Sequence, residues 1–215
     1  MLVAARTGAW AKSGSPIPTA YGGLRFAAEA ANSSVQLTAV GSAPTVTLVK
    51  SFDGVNWEDY AVGEVIDLPS IGDFVYLAAG EGGNETFGSS TSNYHKFVIN
   101  GLVAASGDIT SLRNFDLVQT TLAVSCYNSM FSGCTGLTSA PELPATTLAS
   151  FCYRSMFSGC TQLSLIKVHF TAWGPQTGDW VTEVSSTGIF YKPNALTEEY
   201  ETSKIPTGWT VVNID

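Results

Sequence analysis

Between residues 24 and 107 apolar and polar side chains alternate in short runs, 24–28, 34–40, 45–51, 64–68, 74–79 and 94–100, each bounded by Gly, Pro, Asn or Asp. Period-two alternation over such lengths predicts half-buried strands, and the regular punctuation predicts an antiparallel β-sandwich of the immunoglobulin-like or jelly-roll kind. Asn100-Gly101, set between Phe97-Val-Ile and Leu102-Val, predicts a two-residue hairpin. The Gly/Ser-rich stretch 81–93 is expected as an exposed loop between strands. In 51–57 the order Ser-Phe-Asp-Gly-Val-Asn-Trp predicts a hairpin turn with Trp57 packed inward. Its acids Asp53, Glu58 and Asp59 with Asn56 lack the order of a calcium loop.

From residue 108 the pattern changes. Residues 120–137 (TTLAVSCYNSMFSGCTGL) overlay 146–163 (TTLASFCYRSMFSGCTQL) with 14 of 18 positions identical, a duplicated unit of 26-residue period. A weaker echo places Leu117 and Thr120-Thr121-Leu122 one period before Leu143 and Thr146-Thr147-Leu148. Leu122, Cys126 and Met130 fall four apart with Tyr127 and Phe131 beside them, which predicts a short helix ended by Gly133. Pro141 and Pro144 then force extended chain, so one unit is a strand-like edge plus a short helix, a shape that buries its apolar face only by stacking on a neighbour. Four segments follow: an extended arm over 1–23, a sandwich domain over 24–107 with its own core, repeats over 108–170, and a C-terminal cap over 171–215. Within the cap 192–200 predicts a short helix, and 205–212 a closing strand.

The repeated stretch from Met130 to Ala149 (MFSGCTGLTSAPELPATTLA), with its second copy through Leu163, resembles the leucine-rich repeat proteins of the BspA or Treponema type. The resemblance covers 108–165, and Val46–Tyr60 and the ending GIFYKP…IPTGWTVV are similar to segments of phage-type proteins carrying this variant. It implies a short leucine-rich-repeat solenoid after the sandwich. The implied role is non-enzymatic: a phage virion structural or accessory protein, assembled in the host cytoplasm, docking to other virion proteins or to copies of itself. A host surface protein or glycan is a further partner the resemblance implies. A bacterial surface adhesin of the same family is the rival reading, and a glycan-cleaving enzyme the third. The family carries no catalytic residues over to this chain.

Composition narrows the chemistry. Only 13% of the 215 residues are charged, Ser and Thr fill 46 positions, and 10 Lys and Arg against 18 Asp and Glu leave a net charge of −8. No cluster of basic residues offers a face to phosphates, so nucleic acid is not an expected partner. No apolar run reaches membrane-spanning length, and Arg6 interrupts the start before a signal-type apolar region forms. Cys126, Cys134, Cys152 and Cys160 lie 8, 18 and 8 apart. They read as small apolar residues laddered between repeats, with stacked disulfides as the alternative; zinc would need ligands two to four apart. His95 and His169 stand outside any nucleophile or metal motif. No catalytic residue, cofactor or metal is therefore expected. The sites put forward are a docking arm anchored by Trp10 and Tyr21, and a ligand face at the positions that differ between the copies, Asn128 against Arg154 and Gly136 against Gln162.

Overall fold

In β1 (Leu24–Ala28) Leu24, Phe26 and Ala28 are buried while Arg25 and Ala27 are half-exposed, the alternation that one covered face requires. The same alternation runs through β5 (Val65–Leu68), β7 (Tyr94–Asn100) and β8 (Val103–Ser106), and in part through β2 (Ser33–Val40) and β6 (Phe74–Ala79), while β3 (Leu48–Ser51) and β4 (Glu58–Tyr60) complete the set. The computed structural model describes residues 23–115 and 117–214, and the protein is mainly β, built of several sheets.

One sheet has the order β5-β2-β7 and is antiparallel. The other has the order β4-β3-β6-β1-β8-β9, where β9 (Leu137–Ser139) already belongs to the first repeat and joins β8 in parallel. The hairpin expected at Asn100-Gly101 does not form. Its two flanking strands belong to different sheets, β7 pairing with β2 and β8 with β1. Gly101, at φ +74°, carries the chain across from one to the other.

The helices expected in the repeats are replaced by a ribbon of turns. Ser125 and Ser129 sit at φ 56°, and Phe151 and Ser155 at 59° and 51°, with Gly133 and Gly159 completing a left-handed residue at every fourth position. The N–H groups of Cys126, Asn128, Met130, Ser132 and Cys134 close i to i−3 turns. The N–H groups between them, from Ser125, Tyr127, Ser129, Phe131 and Gly133, donate to carbonyls 25 residues further on. A period of four places Cys126 and Met130 of the stripe inward in this ribbon as well as a helix would, which is why the apolar pattern misled.

The second tier repeats the arrangement on a third that the sequence overlay does not reveal. Tyr153, Ser155, Phe157 and Gly159 donate to Gln176, Gly178, Trp180 and Thr182, and Asp179 and Glu183 take up the left-handed positions at 52° and 57°. On the other side of each unit the strands stack in parallel as β10 (Glu142–Leu143), β11 (Leu165–Val168), β12 (Ile189–Lys192) and β13 (Thr210–Asn213).

The C-terminal helix expected over 192–200 is also absent. After one turn closed by Leu196 N–H on the Pro193 carbonyl, the chain runs on without helical bonds, and Tyr200 bridges Ile205. Trp173 and Trp180 donate their indole N–H to the carbonyls of Thr197 and Lys204, which hold this segment over the third tier.

Among the described residues one continuous apolar cluster runs from Leu24 to Trp209, so no separate core for 24–107 is found there. Two columns of rings cross the junction at 107/108. Phe97, Phe131 and Phe157 stack at 5.1 and 5.6 Å, and Phe87, Tyr127 and Tyr153 at 6.0 and 6.2 Å. Backbone bonds cross there too, from Phe87 and Phe97 N–H to the carbonyls of Cys126 and Met130.

Candidate functional site

The turn after β3 is fixed by its own side chains. Asp53 accepts from the N–H groups of Val55 and Asn56 at 2.8 and 2.7 Å and from the Asn56 amide at 2.6 Å. The Asn56 backbone bond, its side-chain bond and the Val55 bond together hold the Asp53 carboxyl well below the usual range. Ser51 Oγ accepts from Gly54 N–H at 2.9 Å, so the loop is closed from both ends. A carboxylate filled by N–H donors in this way shapes a turn.

That turn delivers Trp57 to the surface, half-buried, where it meets Phe115 edge-on at 4.9 Å and 87°. The inward packing expected for Trp57 is only partial. Tyr76 lies 6.4 Å from Trp57, and Phe74 5.6 Å from Tyr76. These last two face outward because Val75 and Leu77, their neighbours on β6, fill the interior. Arg25 from β1 places its guanidinium 4.4 Å above Phe74. Four half-exposed rings thus form a row on the outer face of the larger sheet.

The row ends at a cleft of about 490 Å³, walled on one side by Gly82, Gly83 and Glu85 of the 80–85 loop and on the other by Arg113, Phe115 and Gln119. Its walls are tied down. Asn84 accepts from Thr47 N–H and donates to the carbonyls of Thr47 and Leu112, each at 2.8 Å. Arg113 donates Nε–H to the Glu85 carbonyl at 2.9 Å and Nη1–H to Thr121 at 3.1 Å. Gly83, at φ +70°, lies so close to the Arg113 carbonyl that a Cβ would come within 2.7 Å of it.

A second polar group lies where the first strands of the repeats meet. Glu142 Oε1 accepts from Lys167 Nζ at 2.6 Å and faces His169 Nε2 at 2.8 Å. Burial pushes the Glu142 carboxyl up, but the hydrogen bonds and charges of Lys167 and His169 outweigh it, and the result lies below the ordinary value. Asp108, buried beside them, accepts from Thr110 N–H and Oγ1, and its burial raises its carboxyl. Among the described residues no group of three or more His, Cys, Asp or Glu is placed to hold a metal ion. These charges fasten one unit to the next.

The positions put forward from the sequence divide. Trp10 and Tyr21 lie outside the described residues. Asn128 is buried, because the segment 87–97 bonds to the chain on either side of it, at Cys126 and Met130. Gly136 is buried against the first half, where a Cβ would collide with the Gly101 carbonyl oxygen. Neither can present a face to a ligand, and this corrects the expectation. Arg154, half-exposed with its guanidinium 5.7 Å over Phe151, and Gln162, exposed, are accessible. The copies therefore differ at Asn128 and Gly136 because the first tier abuts the body.

The cleft went unnoticed in the sequence because its walls come from segments some 30 residues apart. The available signal was Gly80 with Gly82-Gly83, a spacing that admits close approach to backbone. Comparison with known proteins finds no matching family model, no matching curated protein and no matching solved structure.

Proposed function

We propose that this chain is a non-enzymatic structural and binding module: a β-sandwich of the immunoglobulin-like or jelly-roll kind, continued by a short leucine-rich-repeat solenoid with a C-terminal cap. It acts as a phage virion component, a decoration, fibre or tail-associated part, docking to other virion subunits or to copies of itself. The observation that carries the reading is how the duplicated residues are spent. Tyr127 and Tyr153, Phe131 and Phe157, and the four cysteines all go into packing one unit on the next, and all are buried. A structure that commits its repeated side chains to stacking offers an extended, rigid scaffold. The placement in a virion rests on the resemblance of the repeat motif alone.

The test is mass spectrometry of purified particles with quantification of copy number. A fixed stoichiometry per particle is expected. Absence from particles together with recovery on the bacterial envelope would replace the virion reading with the adhesin one.

A further inference from the structure

We propose that the cleft between the 80–85 loop and the residues Arg113, Asn114, Phe115 and Gln119, extended by the ring row Phe115, Trp57 and Tyr76, binds a neutral oligosaccharide of hexopyranose units. The inference rests on the reading of the chain as a binding module and adds the ligand class and the residues that take it.

A pyranose presents two kinds of surface. Its C–H faces are apolar and lie against aromatic rings, while its equatorial hydroxyls each donate and accept a hydrogen bond. Both requirements are met side by side here. Phe115 stands at the mouth of the cleft as part of its lining, and Trp57 and Tyr76 carry the aromatic surface outward along the sheet, all three half-exposed. Inside, Glu85 supplies an exposed carboxylate and Arg113 a planar donor group. Gln119 donates its Nε2–H to Leu117 O at 3.2 Å, which turns its amide so that Oε1 is left as acceptor. Nothing lies within 4 Å of the place a Cβ on Gly82 would take, so hydroxyls can approach backbone there.

The site is also preorganised, which reduces the ordering cost of binding. Asn84 spends its whole amide on Thr47 and Leu112 and is a positioning residue for the loop. Asp53 does the same for the turn that carries Trp57, accepting from Ser51 Oγ, from the N–H groups of Val55 and Asn56 and from the Asn56 amide.

Charge disfavours the competing ligands. Glu81 and Glu85 are exposed in the 80–85 loop, and the chain carries a net charge of −8, so a nucleic acid or another polyanion meets repulsion. Arg113, the cation lining the cleft, already holds two carbonyls and stands next to Glu85, so it is suited to orienting hydroxyls more than to neutralising a phosphate.

The full chain is titrated with three neutral probes, malto-oligosaccharide, cello-oligosaccharide and oligomers of N-acetylglucosamine, followed by calorimetry and tryptophan fluorescence. Saturable binding of at least one is expected, weakened by about tenfold or more in Trp57→Ala. Since Trp57 also packs on the body, Glu85→Gln is the second variant; it removes an exposed carboxylate, leaves the melting temperature unchanged and lowers affinity. Absence of saturable binding by all three probes overturns the inference, as does binding that survives both substitutions. Chromatography of the probe after incubation should return it intact, and cleaved sugar would overturn the binding-module reading itself. Particle incorporation is scored in parallel. A wild-type chain present in particles that binds no sugar sinks this inference and leaves the virion role standing; a chain that binds sugar and is absent from particles does the reverse.

Discussion

Phe97, from a strand of the first half, stacks on Phe131 of the first repeat at a centroid distance of 5.1 Å and an angle of 21°. Phe131 repeats the contact with Phe157 at 5.6 Å and 19°. The ring that ends the sheet body and the ring that begins the repeats therefore occupy successive places in one column, and the halves share a core.

Phe131→Ala should accordingly weaken both halves at once. Truncating a fully buried Phe costs about 3–5 kcal/mol. Urea unfolding followed separately by far-ultraviolet circular dichroism and by tryptophan fluorescence should show one shared transition moved to lower denaturant. Release of a stable proteolytic fragment near 24–107 would show instead that the sheets stand alone.

Gly136→Ala should destabilise by about 1–3 kcal/mol, the range for forcing extra volume into a packed site. The added methyl would meet the Gly101 carbonyl. Gln162→Ala, at the equivalent exposed position of the next unit, should change stability by less than about 0.5 kcal/mol. Comparing the two denaturation midpoints checks the pair.

The four thiols should be unreactive in the folded protein and free when it unfolds. All four are buried and unpaired, and burial pushes those of Cys134 and Cys152 up to about 12. Alkylation without reductant should label none in the native state and four in denaturant, read by intact mass. Two blocked pairs in denaturant would refute it.

Acid should loosen the repeats through Glu142. Its carboxyl titrates below the ordinary 4.5 when folded, so its contribution is present above that pH and fades as pH falls through the folded value. Asp108 works the other way. Its raised carboxyl favours the fold below 3.8, and that contribution is lost as pH rises past its folded value. Glu142→Gln should therefore flatten the loss of stability below pH 4.5, measured as the urea midpoint against pH.

Local alternation was readable in the chain: the strands at 24–28, 74–79 and 94–100 have the bounds that their polar and apolar positions indicate. What is not local was not readable. Asn100-Gly101 has the residues of a tight hairpin, yet whether the strands beside it pair depends on their partners β1 and β2, which precede them by some 60 residues or more. The stripe at Leu122, Cys126 and Met130 fits a helix and a ribbon of turns equally, and the ribbon is set by a left-handed residue at every fourth place, Ser125 and Ser129 in one unit and Phe151 and Ser155 in the next, residue types that do not announce such a backbone. The third tier escaped the overlay because Gln176, Trp180 and Val184 stand where cysteine, methionine and cysteine stood. Of the candidate site, the turn at Asp53 was visible and its product was not, since Trp57 finds Phe115 only in three dimensions.

The division of N–H groups between a unit and the one after it makes the length of this protein adjustable in whole steps. A further copy inserted after the second unit would find on each side the bonding partners its neighbours already use. One inserted before the first would need its own glycine against Gly101 and its own small amide beneath the segment 87–97. Growth is thus directed away from the body, each insertion carrying the far end outward by about 4.8 Å, one strand spacing. The aromatic cleft stays where it is while the reach of the other end changes.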